Sequence, residues 1–300
     1  MTEAQANRTV AGVLWMVLTG LLFVCMTAVV KHVGDAVPAA QSGFLRYAMA
    51  LPFLIPMIRP IMSARLTGRQ LRLFGLRGLV HTGAVILWFF AMTRIPLAEV
   101  TAMNYLNPIY IAIGAALFLG EKMAFRRVVA IIVALIGALI ILRPGLREVD
   151  AGHIAMLGTA ALFAVGYLLA KQLSGEVSAT VVVGMLSLTV TIGLLPFALV
   201  VWVTPDLPTL GWFFLTACFA TAGHYCMTFA FAAAPLTVTQ PVTFVQLVWA
   251  VSLGALAFGE PVDGFVILGG AIIMAAVTFI TWREAVARRG VTPAATPPDA

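Results

Sequence analysis

The sequence predicts an all-α membrane protein of ten transmembrane helices, arranged as two inverted five-helix repeats with both termini in the cytosol. Three observations carry that prediction. Of 300 residues, 62% are hydrophobic and only 10% charged, with a mean hydropathy of +1.04. A soluble domain carries about 25% charged residues. Apolar stretches of about 20 residues, the length that crosses a bilayer, recur ten times. The chain also repeats itself: residues 91–121 lie over 230–260 without a gap, at an offset of 139.

The ten stretches run over 12–32, 37–58, 73–93, 97–119, 127–143, 152–171, 180–203, 210–231, 236–258 and 263–282. Most are joined by short connections, which leave no room for an extramembrane domain. Long unbroken apolar runs exclude a transmembrane β-barrel, whose strands alternate. The repeat predicts a first half at 1–145, a second at 146–287, and a Pro/Ala-rich disordered cytosolic tail at 288–300. Five is odd, so the second half enters the membrane from the opposite side and a pseudo-twofold axis lies in the membrane plane. Pro96 falls on Pro235, Leu97 on Leu236 and Gly120-Glu121 on Gly259-Glu260. The first spans of each half match at an offset of 140, with Thr19, Leu22, Phe23 and Lys31 on Thr159, Leu162, Phe163 and Lys171. The second spans share only Leu51-Pro52-Phe53 against Leu195-Pro196-Phe197, a match that chance can supply. Such a repeat in a helical membrane protein is the plan of a secondary transporter, whose halves rock about a central site.

Orientation follows from the basic residues, which collect in cytosolic loops. With the N-terminus inside, 13 lie on the cytosolic side: Arg8, five in the 59–77 segment, Lys122, Arg126, Arg127, Lys171, Arg283, Arg288 and Arg289. Four lie outside (Lys31, Arg94, Arg143 and Arg147), and Arg46 sits within a span. The net charge of +6 is therefore a topology signal. A lipid bilayer and a small-molecule solute are the expected partners, and nucleic acid is not. The first span lacks a small-residue cleavage site and is long enough to remain a helix. Cys25, Cys218 and Cys226 fall within spans without metal-ligand spacing and read as packing residues. No cofactor or metal is expected. The absence of a P-loop, of G-x-S-x-G and of H-E-x-x-H argues against an ATP-driven pump and an intramembrane protease. Neither charge rings nor a carbonyl filter point to a channel.

Polar side chains in hydrocarbon face protein or a water-filled cavity. In the fourth and ninth spans Thr101, Asn104, Asn107 and Tyr110 fall on Gln240, Thr243, Gln246 and Trp249. They are candidates to bind a polar or zwitterionic solute, and interhelical hydrogen bonding is the alternative. On an ideal helix a spacing of three turns the stripe by about −60° per step, so only local unwinding near Pro108 or Pro241 would align them. Trp88 and Met92 in the third span suit the apolar part of a solute. His81 and His224 lie at similar depth and are candidates for gating or proton coupling, with packing as the plain alternative. Arg46 either holds a carboxylate or snorkels to the interface. Glu99 reads as a complement to a helix N-terminus at the outer surface. Glu121 and Glu260, just before the fifth and tenth spans, read as structural. Ala130, Ala134, Ala138, Gly269, Gly270, Ala275 and Ala276 allow close helix approach within a monomer or a homodimer.

At these residues the chain resembles a known family. Two five-helix halves, each with a fourth span ending in Gly-Glu and a Gly/Ala-rich fifth, are similar to the EamA-type proteins of the drug/metabolite transporter superfamily. The matching residues are Asn107-Pro108, Leu119-Gly120-Glu121 and Gly137, then Phe258-Gly259-Glu260 and Gly269-Gly270, and the resemblance covers 12–282. Leu247 stands where the first half has Pro108, so the motif does not secure a kink in the ninth span. Within the family the chain looks most like the YddG-type amino-acid exporters. The resemblance implies a secondary transporter, not an enzyme, that exports small metabolites across a bacterial inner membrane by alternating access. Amino acids are the first expected solute. Other metabolites or organic cations are the alternatives on the same fold, and an intramembrane enzyme is the alternative from another class. The excess of Arg over Lys, 15 to 3, suits a GC-rich bacterial genome.

Overall fold

A chain this apolar must satisfy its main-chain polar groups within helices, because hydrocarbon offers them no water. The computed structural model describes residues 3–118, 125–146 and 148–289, and every regular element in them is helical. The first repeat holds α1 (Glu3–Val33), α2 (Ala39–Ala50), α3 (Ile55–Ser63), α4 (Gly68–Met92), α5 (Leu97–Asn104), α6 (Asn107–Phe118) and α7 (Phe125–Leu142). The second holds α8 (Ala151–Ser174), α9 (Ala179–Val200), α10 (Leu207–Ala233), α11 (Leu236–Val242), α12 (Val245–Phe258) and α13 (Gly264–Arg289). Among the described residues nine segments are long and apolar enough to cross a membrane, α2 with α3 and α5 with α6 each counting as one. The tenth crossing is α11 with α12, where a break leaves neither piece long enough alone.

Short connections are possible because helix starts are capped. Thr67 and Gln70 form a reciprocal capping box on α4. Asp150, Ser178 and Asp206 accept main-chain N–H groups at the starts of α8, α9 and α10. Gly259, from the repeated Gly-Glu motif, ends α12 at φ +64°, a conformation that glycine adopts without a Cβ penalty. In the second span a 3₁₀ turn at Leu51–Leu54, with Pro52 in its first turn, separates α2 from α3. By contrast, α9 carries Pro196 and continues unbroken to Val200. The two Leu-Pro-Phe tripeptides therefore share no conformation. The last helix runs to Arg289, beyond the expected end of the tenth span, and 290–300 of the expected tail lie outside the described residues.

The halves interlock. α1 packs along α10 and α4 along α8, two pairs that the repeat relates. A Cβ on Gly12 would meet the main-chain nitrogen of Ala234 at 3.1 Å, and one on Gly152 would meet Cγ2 of Ile95 at 2.8 Å. Gly12 corresponds to Gly152 and Ala234 to Ile95 at the two offsets read from the sequence, so the register of the repeat holds in three dimensions. α7 and α13 meet across the halves. A Cβ on Gly137 would come within 2.8 Å of the Gly269 carbonyl oxygen, and one on Gly269 would press on the Gly137 carbonyl in turn. Main-chain approach of this kind serves helix association in lipid, where apolar surface alone gives little drive.

Candidate functional site

The fourth and ninth spans are both broken near their middles. α5 ends at Asn104 and α6 begins at Asn107, while α11 ends at Val242 and α12 begins at Val245. Through each break the main-chain hydrogen bonds shorten from i−4 to i−3. Tyr105 N–H donates to the Ala102 carbonyl and Leu106 N–H to that of Met103; Phe244 N–H donates to Pro241 and Gln246 N–H to Thr243. Pro108 suits the first turn of α6. In the second half the break follows Pro241, which lies inside α11, and it occurs without a proline at position 247. A three-residue turn brings side chains at i and i+3 into line, which draws the polar stripe toward one face. The Tyr105 hydroxyl donates to the Thr243 carbonyl at 3.0 Å and joins the two breaks. Broken helices meeting near the bilayer midplane are where inverted-repeat carriers bind solute.

Along these helices Thr101 is buried, and Asn104, Asn107, Tyr110, Thr243, Gln246 and Trp249 are half-buried. The Gln240 side chain lies outside the described residues, as do Gly120, Glu121 and Lys122. Thr243 Oγ1 sits 3.7 Å from the Met274 sulfur. Asn107 Oδ1, Trp249 Nε1 and Trp88 Nε1 are buried and lack a hydrogen-bond partner among the described residues. Leaving such an atom unpaired costs about 1–3 kcal/mol, and native structures rarely do so without a reason. One acceptor and two donors are thus available to a solute. No hydrogen bond among the described residues joins Asn107, Gln246 and Trp88 to one another. Met92 is 0% exposed within the main core, away from open space.

A second group of expected residues gathers around Arg46. Its guanidinium is buried over the Tyr47 ring at 4.1 Å, so it turns into the protein and does not snorkel. The Tyr47 hydroxyl hydrogen-bonds His81 Nε2 at 3.1 Å. His81 packs on Phe163 with ring centroids 4.8 Å apart, and Trp88 meets Phe163 edge-on at 5.9 Å. In the other half His224 packs on Phe23 at 5.1 Å. Phe23 and Phe163 are repeat partners, so the two histidines occupy related seats although their sequence spacing differs from the repeat offsets. Arg46 lies within electrostatic range of both. His224 and Tyr167 keep exposed surface while sitting among these groups. These side chains come from α2, α4, α8 and α10, and α1 carries both Phe23, on which His224 packs, and Gly20, which faces Gln246. At Gly20 of α1 a Cβ would approach Gln246 Cβ at 3.1 Å.

Sequence reasoning missed Tyr47, Phe163, Tyr167 and Arg77. Phe163 was legible as one of the four matches in the first spans. Arg77, counted above as a cytosolic loop charge, is instead buried in α4 and donates from Nη1 to the Val182 carbonyl of α9 at 2.9 Å.

The EamA-like transporter family profile matches the chain twice, over residues 10–143 and 150–282. The chain belongs to the EamA-like transporter family. Relatives named riboflavin transporter from Rhizobium johnstonii and Vibrio cholerae serotype O1 are each 30% identical to it, over 93% and 94% of this chain and 94% and 97% of their own. The pseudopaline exporter CntI of Pseudomonas aeruginosa is 26% identical over 89% of this chain and 94% of its own. A solved crystal structure covers 96% of this chain and 99% of its own with a TM-score of 0.59; at 18% identity it shows the fold. This EamA-like protein is therefore a multi-pass transporter of the bacterial inner membrane.

In this EamA-like transporter the outer end of the bundle is tied shut. Lys31 at the end of α1 pairs with Glu260 at 2.6 Å and donates to the Ile95 carbonyl at 2.9 Å, while Glu260 accepts the Leu97 N–H at 2.9 Å. Arg94 pairs with Asp35 at 3.6 Å, and Arg143 with Asp263. Glu99 does not sit at the surface as a dipole complement: it is 3% exposed and bonds His153 from the second repeat. The exposed Tyr167 and His224 lie in the cytosolic halves of α8 and α10. Aromatic faces and unpaired polar atoms of this kind can bind a solute by stacking and hydrogen bonds.

Proposed function

We propose that this transporter carries a flat heteroaromatic metabolite of the flavin type across the inner membrane by alternating access. One observation carries the reading: the buried, unpaired indole N–H of Trp88 packs edge-on against Phe163, which also meets Tyr167 and the His81 ring that Tyr47 hydrogen-bonds, while Asn107 and Trp249 keep further unpaired polar atoms on the broken spans. An isoalloxazine ring offers carbonyl acceptors and a ring N–H along one edge, and a broad π face for stacking. Each aromatic contact contributes about 0.5–1.5 kcal/mol beyond its burial. Two relatives named riboflavin transporter, at 30% identity over nearly the full chain, support the same solute class.

Amino-acid export is the second reading, and Arg46 favours it. Its Nε is buried without a hydrogen-bond partner among the described residues and suits a carboxylate. Titration of purified protein with riboflavin separates the two. Flavin emission is quenched on stacking, so the flavin reading expects saturable quenching that excess unlabelled amino acids do not reverse. Thermal stabilisation by amino acids, with no quenching of riboflavin, would transfer the function to amino acids.

A further inference from the structure

We propose that Arg46 and Arg77 seat an anionic group of the solute, a phosphate monoester or a carboxylate. This rests on the flavin reading for the ring alone, and it makes the cargo an acidic flavin such as flavin mononucleotide. Arg46 of α2 is 8% exposed and Arg77 of α4 is 7% exposed. Each keeps a buried Nε with no hydrogen-bond partner among the described residues. A guanidinium carries five N–H donors in a rigid fork. Among the described residues Arg77 uses Nη1 on the Val182 carbonyl, while Arg46, stacked over the Tyr47 ring, makes no hydrogen bond.

The helices around the two arginines supply no counter-charge. α2 and α4, and the α8, α9 and α10 that pack against them, contain no Asp or Glu. α1 and α5, which touch α4 more sparsely, hold one each: Glu3 opens α1, and Glu99 bonds His153 at the outer end. At the cytosolic end Glu176 is bonded to Arg69 and Gln70. A cation withdrawn from water without a counter-charge is costly, and such residues within a span mark solute or ion pathways. The repeat shows that the fold itself does not require Arg77. At the offset of 139, Thr216 of α10 stands in its place, and the Thr216 hydroxyl is satisfied by the Trp212 carbonyl at 2.9 Å.

The aromatic contacts link these charges to the ring site. Arg77, His81 and Trp88 follow one another at spacings of four and seven, so they share one face of α4. The helical rise puts His81 about 6 Å and Trp88 about 16 Å beyond Arg77 along the axis. Phe163 meets the rings of both His81 and Trp88, at 4.8 and 5.9 Å. Tyr47, under the Arg46 guanidinium, hydrogen-bonds His81. Both arginines lie within electrostatic range of that histidine. A ring stacked beside Trp88 and Phe163, with an acid one short chain away, matches the two parts of this face. Guanidinium binds phosphate and carboxylate oxygens through charge-assisted, often bidentate hydrogen bonds, which neutral groups do not replace.

Three ligands with one ring test the assignment. Full-length purified protein is titrated with riboflavin, with flavin mononucleotide, and with a flavin whose ribityl phosphate is replaced by a carboxypentyl chain. At least one acidic flavin should bind about ten- to a hundredfold more tightly than riboflavin, the gain expected of hydrogen bonds to a charged group. Which acidic flavin binds better tells phosphate from carboxylate. Arg46→Gln and Arg77→Gln should each lose most of that preference. Equal affinities in the wild type, or a preference that survives in both variants, would overturn the anion seat and leave the flavin reading intact. If neither variant folds, the wild-type ranking decides. If no flavin binds, the flavin reading falls, and the seat is judged by melting in sodium phosphate, acetate and chloride at equal ionic strength. Saturable stabilisation by phosphate or acetate over chloride would support it, and no such gain would overturn it.

Discussion

The hydroxyl of Tyr105 donates to the main-chain carbonyl of Thr243 at 3.0 Å, tying the break in the first repeat to the break in the second. Through this contact the two discontinuous helices share one hydrogen bond at the centre of the bundle. Tyr105→Phe keeps the ring and removes this hydrogen bond, leaving the carbonyl with the Gln246 N–H, at a cost of roughly 0.5–1.5 kcal/mol. The expected outcome is a lower melting temperature with an intact helical circular-dichroism spectrum. An unchanged melting temperature would mean that the breaks are held by packing alone.

Asn107→Ala, Gln246→Ala and Trp88→Phe each remove one polar group from the proposed solute site. Loss of a neutral hydrogen bond weakens binding by roughly 0.5–1.5 kcal/mol, up to about tenfold. Riboflavin titration should show that loss with melting temperatures near wild type. If these groups serve to hold the bundle, the order reverses, and stability falls while apparent affinity stays.

Glu260 joins α1 to α5 at the outer end through Lys31 and the Leu97 N–H. Glu260→Gln keeps a hydrogen-bonding oxygen but leaves the Lys31 ammonium without its counter-charge in a largely buried place. The outer end should then open more often, and a single cysteine placed at Ala155 of α8, in protein with Cys25, Cys218 and Cys226 replaced, should label faster with an impermeant maleimide from outside than in the parent with Glu260 intact. Equal rates would show that this pair does not hold the gate.

The ten spans, the two repeats and the inverted order were legible because hydrophobic length and internal similarity are properties of the chain itself. The breaks were half legible: Pro108 marked one, while the other follows Pro241, upstream of the residue that replaces the motif proline. Arg46 was flagged by its cost in a membrane, but only packing decided between snorkelling and its seat over Tyr47. Glu99 was misread because its partner, His153, lies 54 residues away and follows no motif spacing. The histidine seats were also hidden, since His81 and His224 are related through Phe163 and Phe23 rather than by a common offset.

On the cytosolic side Glu176 accepts from Arg69 at 2.6 Å and from Gln70 at 3.0 Å, and these bonds hold its carboxyl below the usual carboxylate range. A depressed value contributes stability above the ordinary carboxylate pKa, and that contribution is lost as pH falls through the lower folded value. Glu176→Gln should therefore melt slightly below wild type at neutral pH, with the gap closing only in strong acid. A gap that persists unchanged in strong acid would assign the effect to shape rather than charge.

Counterflow in proteoliposomes tests the central claim most directly. Vesicles holding purified protein are loaded with unlabelled riboflavin, diluted into a trace of labelled riboflavin, and compared with protein-free vesicles and with vesicles loaded with amino acids. A flavin carrier transiently accumulates label only when riboflavin is inside. Accumulation driven by internal amino acids, or none above the protein-free vesicles, would contradict the account.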